Sequence, residues 1–85
     1  MNTNSTSRFH GNELKVYPNP AKESLYIRGE NLKKISIYNL YGKIVHSSKP
    51  GGNYHKIDLS ELRKGVYLLK VLTSFGEYSE RIVVL

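Results

Sequence analysis

Three histidines, seven acidic residues and no cysteine are the chain's stock of metal ligands and acid–base groups. His10, His46 and His55 lack the i, i+4 spacing of a helical zinc pair. No second ligand type clusters beside them, so they read as surface or strand histidines. Asp58 and Glu61 come nearest to a carboxylate pair for general acid–base work. They stand just before a turn, however, where an acid more simply caps backbone N–H groups. No serine sits in a nucleophile elbow. Gly51-Gly52 is followed by neither a Lys-Ser pair nor a helix, so it is no phosphate loop. The acids are too thinly spread for a calcium loop. The tyrosines could stack sugars or bases, with Tyr26, Tyr38 and Tyr41 taken as one candidate face. A half-buried strand position with a wet hydroxyl explains most of them equally well. No catalytic residue, cofactor or metal ligand is expected.

What must be positioned is therefore a surface. Leu62 to Leu72 is the longest apolar run in the chain. It is too short, and too interrupted by Lys70, to span a bilayer, which takes about 20 apolar residues. Its leucine, β-branched and aromatic content predicts a central strand. Alternation sets Tyr67, Leu69 and Val71 against Val66, Leu68, Lys70 and Leu72. A lysine is rarely buried alone, so the Tyr67 face is the core face. Gly65 lets the chain turn sharply into this strand.

The remaining chain follows the same grammar. Leu14 to Tyr17 is a short strand halted by Pro18-Asn19-Pro20, a rigid corner or sheet-edge segment. Ala21-Lys22-Glu23 is expected to turn. Ser24 to Arg28 alternates, with Leu25 and Ile27 inward. Lys34 to Leu40 buries Ile35 and Ile37. Asn39 to Lys43 is a tight hairpin in which Gly42 supplies the positive φ. Ile44 to Ser47 returns, and a turn rich in breakers follows over Ser48 to Asn53. Tyr54 to Leu59 is a strand with Ile57 inward. Ser60-Glu61-Leu62 is expected to make one helical turn. Glu77 to Leu85 is the last strand, with Ile82 and Val84 inward. About seven short strands, roughly ten residues apart, predict an all-β fold. The expected architecture is an immunoglobulin-like antiparallel β-sandwich, with a small β-barrel as the alternative.

Eighty-five residues make one small domain. Met1 to Asn12 is polar and is expected to be a flexible linker or tail, leaving residues 13–85 as the folded domain. That start has no apolar stretch of the kind a signal peptide needs, so the chain is expected to be a piece of a longer protein. The net charge of +6 comes from scattered basic residues with no run longer than two. This predicts a soluble basic surface with weak, salt-sensitive attraction to anionic glycans or lipid head groups.

Three patches together resemble the type A C-terminal sorting domain of the type IX secretion system. Val16-Tyr17-Pro18-Asn19-Pro20-Ala21 is similar to its opening signature. Ile35 to Lys43, ISIYNLYGK, is similar to its middle hairpin. Ile57-Asp58-Leu59-Ser60, Leu62 and Gly65-Val66-Tyr67 resemble its Gly-x-Tyr block, closed by an apolar strand at the C-terminus. The resemblance covers Val16 to Leu85. Arg81 departs from it where a lysine is common, and the chain ends on Leu85 where a basic residue often follows.

The resemblance implies an export address fused behind an N-terminal cargo domain. The cargo would cross the periplasm in transit, then be secreted or held at the cell surface. Implied partners are an outer-membrane translocon, its shuttle proteins and a sortase. The sortase would cut in or before Met1 to Asn12 and attach the cargo to an anionic lipopolysaccharide. Recognition residues are expected among Pro18, Asn19, Pro20, Gly42, Gly65, Tyr67, Lys70, Arg81, Ile82, Val83 and Val84, with the last strand at a sheet edge. No nucleic acid and no membrane span are expected. The competing function is a non-catalytic carbohydrate- or surface-binding sandwich that stays on the mature protein. A basic nucleic-acid-binding barrel is the third.

Overall fold

Gly65–Thr73 is a nine-residue strand with a hydrogen-bonded neighbour on each side, as its apolar run demands. The structure is a computed structural model that describes residues 14–85. The linker expected over Met1 to Asn12, and the proteolytic cut with it, lie outside the described residues. Seven strands follow in order: β1 (Lys15–Tyr17), β2 (Ser24–Arg28), β3 (Leu32–Tyr38), β4 (Ile44–Ser48), β5 (Tyr54–Asp58), β6 (Gly65–Thr73) and β7 (Gly76–Val84). They form a three-stranded sheet, β1-β2-β5, and a four-stranded sheet, β4-β3-β6-β7, with every ladder antiparallel.

This is a β-sandwich of immunoglobulin-like order, with β4 paired to β3 and so placed in the larger sheet. It does not close into the alternative barrel. On one side β4 and β5 meet through Ser48 Oγ and His55 Nε2 at 3.3 Å, not through a ladder. On the other, the sheets are joined by a single parallel bridge, Ala21 to Val84.

The core lies between the sheets, where each strand's alternation puts its apolar set. Leu25, Ile27 and Ile57 from the smaller sheet meet Ile35, Ile37, Leu69, Val71, Ile82 and Val84 from the larger. Burying each such side chain contributes about 1.5–3 kcal/mol against the entropy of ordering so short a chain. The third strand starts at Leu32, two residues earlier than expected. Its ladder with β6 shifts between Leu32 and Lys34, and this irregularity lets Leu32 and Ile35 both face inward at an odd spacing.

Two local expectations are corrected. Ser60-Glu61-Leu62 is a hydrogen-bonded turn and not a helical one: Leu62 N–H donates to Leu59 O at 2.9 Å, and Asp58 Oδ1 accepts from Ser60 N–H at 2.9 Å. The Asp58 side chain bonds the backbone two residues on, as in an Asx turn, and the single i→i+3 bond is not continued. Ala21 is not merely a turn residue. It is 1% exposed and belongs to the core.

Candidate functional site

Neither proline of Pro18-Asn19-Pro20 has an N–H, so this segment cannot build a strand ladder of its own. Both of its X–Pro bonds are cis. The pairing work falls to the Asn19 side chain and the Ala21 backbone. Asn19 Oδ1 accepts from Val83 N–H at 3.1 Å, and Asn19 Nδ2 donates to Arg81 O at 2.9 Å. The same Nδ2 lies 3.3 Å from Glu80 Oε2. Ala21 N–H donates to Val83 O at 2.8 Å, and Leu85 N–H donates to Ala21 O at 2.7 Å. A primary amide offers an acceptor and a donor side by side, as the C=O and N–H of one strand residue do. Asn19 thus stands in for a strand residue along the outer edge of β7.

β7 is the edge strand of the larger sheet. Backbone groups of alternate residues in an antiparallel edge strand point away from the sheet. Those of Val83 and the carbonyl of Arg81 meet the Asn19–Ala21 clamp. The same alternation turns the backbones of Ser79 and Glu77 outward, and among the described residues nothing pairs with them. The clamp therefore closes one half of the edge and leaves the other half without a partner among the described residues. Glu80 shares the inward side with Ile82 yet remains exposed at the rim. An inward-leaning charge of this kind discourages indiscriminate pairing at an edge.

The structure brings most of the expected recognition residues together. Pro18, Asn19 and Pro20 lie along Arg81 to Val84. β6 adds Gly65, paired to Val84, and Tyr67, paired to Ile82. Gly65 has φ 151°, a backbone that glycine adopts most readily. The side chains of Tyr67, Ile82 and Val84 are buried, so they hold the edge in place from within. The Tyr67 hydroxyl donates to Arg63 O at 2.6 Å, fixing the chain just before β6.

Gly42 and Lys70 stand apart from this cluster. Gly42 has φ 84° in the β3–β4 hairpin, where Asn39 Oδ1 also accepts from Tyr41 and Lys43 N–H. Lys70 lies on the outer face of the larger sheet, its Nζ 5.5 Å from the Tyr38 ring centroid. The two residues flank a shallow depression with Leu40 and Leu68. Sequence reasoning missed Ala21, Ser79 and Glu80. An asparagine between two prolines was the available signal, since its amide can both donate and accept where the flanking residues have no N–H.

The proposed tyrosine face divides. Tyr26 stacks with Tyr17 and Tyr54 on the smaller sheet, while Tyr38 belongs to the larger sheet and Tyr41 to the hairpin. The N–H of Ser60 holds the Asp58 carboxyl below its ordinary value, with its side-chain hydrogen bond and the Lys56 charge adding to this. Burial, then the neighbouring His55, holds His46 below the ordinary imidazole value. Asp58, Glu61 and His46 border one hollow with Val45 and Leu62. No trio of possible metal ligands converges among the described residues.

The fold and its clamped edge define a small β-sandwich module whose distinctive surface is its own C-terminal strand. The chain belongs to the secretion system C-terminal sorting domain family, whose model matches residues 15–85. It is a sorting domain of the type IX kind. Beta-agarase D of Zobellia galactanivorans is 33% identical over 73 residues, 86% of this chain and 15% of that protein. A solved structure of PorZ, described as an essential bacterial surface component of the type-IX secretion system of Porphyromonas gingivalis, superposes with a TM-score of 0.72. At 17% identity over 95% of this chain and 12% of that one, the likeness is one of fold. The chain thus spans a small fraction of either protein.

Proposed function

We propose that this domain is the non-catalytic export address of a cargo fused to its N-terminal side, and that the transport machinery reads it at the edge of β7. The observation that carries the proposal is the half-open edge: Asn19 and Ala21 occupy the outward groups of Val83 and Arg81 O, while those of Ser79 and Glu77 have no partner among the described residues. An extended segment of an outer-membrane translocon or shuttle protein adds there as a further strand. Pro18, Asn19, Pro20 and Arg81 frame it with a rigid polar surface. The cargo passes through the periplasm and is then secreted or displayed at the cell surface. A sortase cuts upstream of the sandwich and joins the cargo to an anionic lipopolysaccharide.

Removing Arg81 to Leu85 cannot separate recognition from folding, because Ile82 and Val84 are core residues. Ser79→Pro can. It deletes an outward N–H that no described residue uses, and proline is tolerated at such edge positions. The 85-residue chain fused behind a periplasmic reporter should export it from a type IX strain. The Ser79→Pro fusion should stay inside although the purified domain still unfolds cooperatively. Export of the variant at the parental rate overturns the edge reading. Mass spectrometry of the delivered cargo tests removal: a sorting domain is missing from it, and a resident binding module remains.

A further inference from the structure

We propose that the outer face of the three-stranded sheet binds an acidic polysaccharide. This face is independent of the β7 edge, which lies on the other sheet. Tyr17, Tyr26 and Tyr54 come from three different strands and form one ladder, with ring centroids 5.7 and 6.2 Å apart and interplanar angles of 23° and 22°. Tyr17 is 41% and Tyr54 50% exposed, and neither belongs to the core. Register explains the convergence. Tyr17 sits opposite Tyr26, and Tyr54 sits opposite Arg28, one pleat along.

The same register interleaves cations with the rings. Lys15 stands opposite Arg28, and Lys56 opposite Tyr26, with Lys56 Nζ 5.9 Å from the Tyr26 centroid. None of these three makes an ion pair among the described residues. The one acid on this face of β5, Asp58, is already turned to Ser60 N–H. Three cations with no ion pair among the described residues, set around an aromatic row, complement a polymer that carries both hydroxyl-rich rings and negative groups. Stacking against neighbours holds the tyrosines before any ligand arrives, so binding costs little side-chain entropy. The exposed parts of Tyr17 and Tyr54 meet sugar C–H and O–H groups, and carboxylates of the polymer reach the cations.

The test is titration of the chain with polygalacturonate, with uncharged dextran and oligo(dT) as comparison polymers. Saturable binding of polygalacturonate is expected, weakening as salt rises. The Tyr17→Ser/Tyr54→Ser variant should bind about tenfold more weakly or worse, while still unfolding cooperatively at a midpoint lowered by the loss of two ring contacts. Lys15→Gln/Arg28→Gln/Lys56→Gln should abolish binding. Any of four results overturns the proposal: no saturable binding of polygalacturonate, unchanged affinity in the double tyrosine variant, equal binding of dextran, or tighter binding of oligo(dT).

Discussion

Asn19→Ala should destabilise the domain, and Asn19→Asp should destabilise it more. The carboxamide makes two well-formed hydrogen bonds to the β7 backbone, at 3.1 and 2.9 Å, and a longer one to Glu80. A typical net hydrogen bond contributes about 0.5–1.5 kcal/mol. These are exposed, so the pair is worth about 1–2 kcal/mol and the contact to Glu80 little. For a domain of this size each kcal/mol lowers Tm by roughly 4–8 °C. Asn19→Asp keeps the acceptor for Val83 N–H but replaces the donor. An anionic oxygen then faces the Arg81 carbonyl and the Glu80 carboxylate, so repulsion adds to the loss. Both neighbours raise the carboxyl pKa of that variant in the folded state. Its extra penalty is therefore full at neutral pH and relieved as acid restores a proton that can donate. Urea unfolding followed by tyrosine fluorescence, at neutral and acid pH, measures all three proteins. The strand-mimic argument fails if Asn19→Ala matches the parent within about 0.3 kcal/mol, a difference below one typical hydrogen bond. It also fails if Asn19→Asp is the more stable of the two at neutral pH.

Three further outcomes are expected. Tyr67→Phe loses the hydroxyl bond to Arg63 O and should cost about 0.5–1.5 kcal/mol by chemical denaturation, with the core otherwise intact. Leu69→Ala removes a side chain 1% exposed at the centre of β6 and should cost about 2–5 kcal/mol, enough to leave a small domain largely unfolded in thermal melts. Acid should act in two windows. His46, whose Nε2 is buried without a partner among the described residues, titrates lower when folded, so the unfolded chain takes up its proton first. Stability then falls as pH drops through about 6.5, and His46→Gln should flatten that slope in pH-dependent melts. Asp58 contributes stability above the ordinary carboxylate value and loses it as pH falls through its lowered folded value, a loss that Asp58→Asn should remove.

Strand positions and facing were legible because alternation is local. In Leu25-Tyr26-Ile27 and Tyr67-Leu68-Leu69, two-residue periodicity and the cost of burying a lysine decide which side is wet. The hairpin at Gly42 was legible because its backbone needs a positive φ that glycine adopts freely. Family membership was legible because its three patches keep their order along the chain. Which strands share a sheet, and what lies against an edge, are long-range facts. Asn19 and Val83 stand 64 residues apart, and nothing in local propensity reports that one satisfies the other. Tyr17, Tyr26 and Tyr54 look like three ordinary strand tyrosines until the register of β1-β2-β5 sets them in one row. The chain's own order of residues thus determined each strand and its wet and dry sides, whereas pairing between distant segments, which only the folded state brings within hydrogen-bonding range, decided where β7 is closed and where it is open.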